Sequence, residues 1–385
     1  MGQRSAGETH RPSPRTSRTP EVSKFEARGK SILESIPFSD TPDRTLPDPS
    51  EEPWPGGPLS RPSWPAVGPS RRRCTISGDG VAVPEKWPPL QPQDPEFFAF
   101  IKRYPMCRGV GGLPDMFDWY ARTPKAKVPT KDPRTVWGGA NHEAVEHIIE
   151  TLEENFPHGR QDRSAYFTGD MFLSMLDEET IERLKKLFKG GLFFQAKDIP
   201  WEGVTTAPVG LNEYYFRKTW DVAEKAIAAA SVDAKPYAAL GAWGYMRKLG
   251  GIKSRQLLQG WVETEAAKAA GVQHRMIEPR EYFSELAKYK FLLAPGGGGI
   301  LSPKTDEALL VLTVPIVIRD GYAAYDDWPK LGWPIVILDA WEEVTAENLD
   351  TWWAKFSPRL LRFRENCLTS EGFFKLVTGT SHYCE

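Results

Sequence analysis

Ser302, Lys304 and Glu307 stand within two helical turns of one another in the stretch SPKTDEAL, just after four consecutive glycines, Gly296, Gly297, Gly298 and Gly299. Each residue type has a role if an anion binds there. Glycines let a backbone come close to a ligand, or take left-handed conformations, without a side-chain clash. Ser-Pro is a cap followed by a good first helical residue. A lysine in the first turn of a helix opposes the dipole unless an anion is there to pair with it. A glutamate three residues later shares its face. The sum is a cradle of amides and an ammonium for phosphates, with a carboxylate beside it for ribose hydroxyls. The blander reading of the same residues is a flexible turn followed by a solvent-facing ion pair. Two other phosphate motifs do not fit. Ile300 stands where a Walker loop needs lysine, and no GxGxxG opens a helix early in the chain.

The surrounding elements would put such a cradle at the end of a strand. KFLLAP reads as a strand that stops at the glycines, SPKTDEALLVL as a helix, and VPIVIRD and WPIVILD as further strands. Upstream, NHEAVEHIIETLEENF and DEETIERLKKLFKGG have helical apolar spacing, and the second ends in lysines and glycines. GLFFQAKDI, AKPYAALGAWGYM and HRMIEP read as short strands between helices. Such alternation implies βαβ units with parallel sheets, whose ligands sit beyond the carboxyl ends of the strands.

The bulk properties narrow the partners. With 49 basic and 51 acidic residues in 385, the charge is nearly balanced. Nothing electrostatic favours nucleic acid or an anionic membrane. No apolar run approaches the roughly 20 residues of a membrane helix, and the N-terminus shows no apolar signal core. The four cysteines, Cys74, Cys107, Cys367 and Cys384, have no zinc-ligand spacing. Cys367 and Cys384 read equally as a disulfide or as free thiols. The segment 1–90 holds nearly half of the 34 prolines and no apolar period, so it is expected to be a disordered tail. Residues 91–235 and 236–385 are then two α/β domains.

YFSELAKYKFLLAP, the glycines, SPKTDEAL, VPIVIRDGY and YDDW together resemble the C-terminal half of exostosin-type glycosyltransferases. The likeness covers about Tyr282 to Asp339 and is weaker back to about Gly241. It implies a GT-B-like α/β fold of two Rossmann-like domains, with a nucleotide-sugar donor, and by preference a UDP-sugar, held by the C-terminal one. It implies inverting, metal-independent transfer, with no cofactor, to a glycan or glycoprotein hydroxyl, and work in the Golgi; a chain that is complete without an anchor would work in the cytoplasm. Ser302, Lys304 and Glu307 match the family's donor-binding serine, basic residue and glutamate, and Arg255 is similar to a basic position facing the diphosphate. Lys304 stands where the family more often has arginine, which keeps the charge and loses the bidentate fork. The resemblance places Asp326 and Asp327 in the loop facing the donor sugar; by themselves, adjacent acids before Trp328-Pro329 read as a turn cap. Inverting transfer needs a general base from the N-terminal half. Asp170, after a strand-like pair, and Glu213, just past a Pro/Gly turn, are the candidates, with Asp198 behind them. The other class of function open to this sequence is a non-catalytic glycan- or nucleotide-binding protein that keeps the fold.

Overall fold

Strands buried on both faces read as apolar runs rather than as alternations, and the first sheet is built that way. A computed structural model describes residues 95–106, 112–243, 249–297 and 300–384. The Pro-rich tail over 1–90, Cys74, Cys107, Gly298 and Gly299 lie outside the described residues. After helix α1 (Pro95–Arg103) come β1 (Trp119–Ala121), β2 (Thr135–Gly139), β3 (Ser164–Thr168), β4 (Gly191–Phe194) and β5 (Thr205–Thr206). They lie side by side in chain order and all parallel. Because each crossover steps the same way and is expected to be right-handed, the connecting helices α2 (His142–Asn155) and α3 (Glu178–Leu187) share one face. Val136, Ala165, Phe167, Leu192 and Phe194 bury against Ile148, Leu152, Ile181 and Leu184 there. Trp137, Tyr166 and Phe193 point the other way into the main core. The Asn141 and Asp177 side chains cap α2 and α3, accepting from Ala144 and Thr180 amides at 2.9 and 2.7 Å.

The linking helix α4 (Glu213–Ala229) leads to a second parallel sheet with a different winding. Its strands are β6 (Tyr237–Gly241), β7 (Val272–His274), β8 (Tyr289–Leu293), β9 (Val314–Ile318) and β10 (Val336–Leu338). Their order is β10-β9-β8-β6-β7. Between them run α5 (Leu249–Val262), α6 (Glu265–Ala269), α7 (Tyr282–Leu286) and α8 (Lys304–Leu310). The chain closes with α9 (Ala346–Phe356), α10 (Leu360–Cys367) and α11 (Ser370–Val377). The protein is therefore α/β, with two five-stranded parallel sheets in a Rossmann-like layout. Trp352 and Trp353 brace β8, their rings edge-on to Phe291 at 6.4 and 5.9 Å. One element differs from the sequence expectation. The strand expected over HRMIEP ends at His274, which is the last residue of β7. The last helix packs on the first sheet: Phe373 meets Tyr166 at 5.8 Å and Phe374 meets Phe117 at 5.0 Å.

The carboxyl edges of the two sheets meet. Lys197, after β4, donates to Asp327, after β9, at 2.7 Å, and the Thr206 amide donates to the same carboxylate oxygen at 3.0 Å. The Ala323 amide donates to the Asp198 carbonyl at 3.0 Å. No helix among the described residues is long and apolar enough to cross a membrane.

Cys367 and Cys384 form a disulfide, 17 residues apart in the chain, and both are buried. A loop of that length closed by a disulfide contributes about 3 kcal/mol through the unfolded chain. Cys367→Ser is therefore expected to lower the free energy of unfolding by about 2–4 kcal/mol, read from urea denaturation. An unchanged denaturation midpoint for the variant would contradict it.

Candidate functional site

Only the second sheet has a topological switch point. From β6 the chain goes to β7 on one side, then returns past β6 to β8 on the other. The crevice beyond the carboxyl ends of β6 and β8 is where an open parallel sheet takes a ligand. The first sheet runs in chain order and has no such reversal. Beyond β8 comes the glycine loop. The Gly296 amide donates to Ser254 Oγ, on α5, at 3.0 Å. A Cβ at Gly297 would lie 2.7 Å from the Leu301 carbonyl oxygen, so the loop's own close approach requires glycine there. Gly296 has room for a Cβ, and neither residue has positive φ. Close packing, and not left-handed backbone, is thus what the described glycines serve.

Lys304 and Glu307 follow on α8. The helix begins at Lys304, one residue later than expected, and lasts seven residues. Ser302 is buried, and its Oγ lies 3.4 Å from the Lys304 amide, too long for a strong cap. Leu312, at φ 58°, turns the chain away, so the helix ends before the SPKTDEALLVL stretch does. So short a helix concentrates the chemistry in its side chains rather than in its dipole.

Those side chains are unusual. Glu307 is 5% exposed. The Lys304 ammonium sits 4.2 Å from the centre of the Tyr282 ring. Among the described residues, neither charge has a hydrogen-bonding or ion-pairing side-chain partner within 4 Å. Burial pushes the Lys304 ammonium below its ordinary value and the Glu307 carboxyl above it, and each charge partly offsets the shift of the other. Arg255, on α5, is close enough to depress Lys304 further, and burial lowers its own guanidinium. Two cations and a carboxylate thus converge at the switch point, and of these Lys304 and Glu307 are held by packing rather than by each other. Burying charges without such partners is costly. A ligand carrying phosphate and hydroxyl groups would supply what is missing.

The structure brings together Ser254, Arg255, Gly296, Gly297, Ser302, Lys304 and Glu307 around this crevice. It also brings in Tyr282, which no motif or spacing singles out. The other expected residues lie elsewhere. Asp326 accepts from Arg319 at 2.9 Å, and Asp327 is held by Lys197, Thr206 and Lys330. Asp327 therefore serves as a brace between the halves, and a donor-sugar contact would have to displace those protein donors. Asp198 is likewise engaged, by the Ser174 amide at 3.0 Å and the Ser174 hydroxyl. Asp170 is exposed just beyond the carboxyl end of β3. Glu213 is buried as the first residue of α4, two positions before Tyr215, whose ring meets Tyr282 at 5.9 Å. A cavity of about 700 Å³ lies away from the crevice, lined by Lys102, Arg103, Glu365, Thr369, Glu371 and Tyr383 among others. Its mixed charges name no ligand.

Compared with known protein families and curated proteins, the chain matches no family model and no curated protein.

Proposed function

We propose that the chain is a glycosyltransferase of GT-B type, which moves a sugar from a nucleotide diphosphate, by preference a UDP-sugar, to a glycan or glycoprotein hydroxyl. The observation that carries this reading is the half-buried Lys304 and the buried Glu307, neither with an ion-pairing or hydrogen-bonding side-chain partner among the described residues, at the switch point of the second sheet. The resemblance of the surrounding residues to exostosin-type enzymes supports the same assignment.

In this reading the diphosphate lies along Gly296–Gly297, with Lys304 and Arg255 neutralising its oxygens and Glu307 accepting from hydroxyls. The acceptor oxygen attacks the anomeric carbon as the bond from that carbon to the diphosphate oxygen breaks. The leaving diphosphate keeps the bonding electrons, and the cations stabilise the charge it gains. The acceptor's proton passes to a carboxylate, for which Asp170 and Glu213 are the candidates. Attack from the face opposite the diphosphate inverts the anomeric centre.

A thermal-shift screen with UDP- and GDP-sugars, followed by a transfer assay, tests the proposal. At a ligand concentration 100 times Kd the melting transition should gain about 2.7 kcal/mol of stability. Stabilisation without transfer to any hydroxyl acceptor would favour a non-catalytic binder. No stabilisation by any nucleotide sugar would remove the enzyme reading.

A further inference from the structure

Two tyrosines flank the charged pair, and they differ in one respect. The Tyr215 hydroxyl donates to the Pro279 carbonyl. The Tyr282 hydroxyl, in a side chain only 5% exposed, has no hydrogen-bond partner among the described residues. The rings meet edge-on, at 83° and 5.9 Å. Tyr282 is the first residue of α7 and packs against Phe283 and Tyr215, so its ring is fixed by neighbours on two sides. On a third side lies the Lys304 ammonium, over the ring face. Glu307 is also near enough to disfavour ionisation of both phenols. A buried phenol normally finds an acceptor, because leaving the donor unmade forfeits its hydration with nothing in return. Here the phenol is rigid and buried beside two charges, Lys304 and Glu307, that also lack side-chain partners among the described residues.

We propose that the Tyr282 hydroxyl is a ligand-reading group of this site, donating a hydrogen bond to an acceptor oxygen of the bound nucleotide sugar. The proposal rests on the nucleotide-sugar reading of the crevice and adds a selectivity to it. Lys304 and Tyr282 supply donors, and Glu307 supplies an acceptor. A bare polyanion such as pyrophosphate answers the donors and is repelled by the buried carboxylate. A ligand that carries hydroxyls next to its phosphates answers all three. The site therefore prefers a glycosylated or ribosylated diphosphate to the diphosphate alone.

Tyr282→Phe in the full chain separates a ligand-reading role from a structural one. Phenylalanine keeps the ring, its packing and its face towards Lys304, and removes only the unpartnered hydroxyl. Removing a buried donor that has no partner is neutral or stabilising. The unliganded variant should therefore melt at the wild-type temperature or above it. Titration calorimetry with UDP-glucose and UDP-N-acetylglucosamine should show affinity lower by roughly tenfold for the sugar nucleotide that binds wild type best. Pyrophosphate should bind wild type more weakly than that sugar nucleotide. A lower melting temperature for unliganded Tyr282→Phe would show a structural role and overturn the proposal. Unchanged affinity for the sugar nucleotide would overturn it too, while leaving the nucleotide reading intact. Absence of binding to wild type would instead defeat that reading, and this inference with it.

Discussion

Lys304→Met is expected to weaken nucleotide-sugar binding by about thirtyfold or more while leaving the fold as stable as wild type or more so. The two effects part company because the ammonium has no ion-pair partner among the described residues and rests against the Tyr282 ring. Burial of a charge costs free energy unless hydrogen bonds and an opposite charge make it good. Methionine fills a similar volume with a flexible apolar chain, so the packing against Tyr282 survives. A phosphate oxygen, by contrast, loses its closest cation. Truncating one side of a buried charge pair costs about 2–5 kcal/mol, which is at least a thirtyfold loss of affinity. Calorimetric titration and thermal melting together check both halves. The lowered Lys304 value also sets the sign of a pH effect. The protonated form binds the anion, so affinity should fall as pH rises through the value of the free site. A lysine that mattered only for folding would show the reverse pattern, with stability lost and affinity kept.

The second large effect concerns Asp306, which lies between Lys304 and Glu307 in the chain. Its carboxylate is fully buried and accepts from the Gly210 amide at 2.8 Å and from Trp333 Nε1–H at 2.9 Å. Asp306→Ala strands both donors, each at about 1–3 kcal/mol, so the variant should lose about 3 kcal/mol at neutral pH. Burial raises the carboxyl to about 7 from an unfolded value of 3.8, against the pull of the two donors. A raised carboxyl contributes stability that is complete below the unfolded value and is lost as pH climbs through the folded one. The deficit of the variant should therefore be largest near pH 4 and shrink towards pH 7. Urea midpoints of both proteins at the two ends of that window measure it. A deficit that grows with pH would contradict the assignment.

The second sheet was legible because its strands are short apolar runs bounded by proline or glycine, as in KFLLAP and VPIVIRD. Lys304 and Glu307 were legible because their spacing places them on one face of a helix. Strand order was not legible, since nothing local says that the chain returns from β7 past β6 to set β8 on the other edge of β6. The brace at Asp327 was not legible for the same kind of reason: its partner Lys197 lies 130 residues away, and only tertiary packing brings them together. Tyr282 could not be singled out, because an unpartnered hydroxyl is a property of its surroundings. The two-residue β5 carries too little pattern to be seen.

The most direct test of the whole account is a crystal structure of the full chain soaked with UDP. The account predicts diphosphate density beyond the carboxyl ends of β6 and β8, with phosphate oxygens within hydrogen-bond reach of the Lys304 ammonium and a ribose hydroxyl near Glu307. Density at another place on the molecule, or a crevice left empty at saturating UDP, would contradict it.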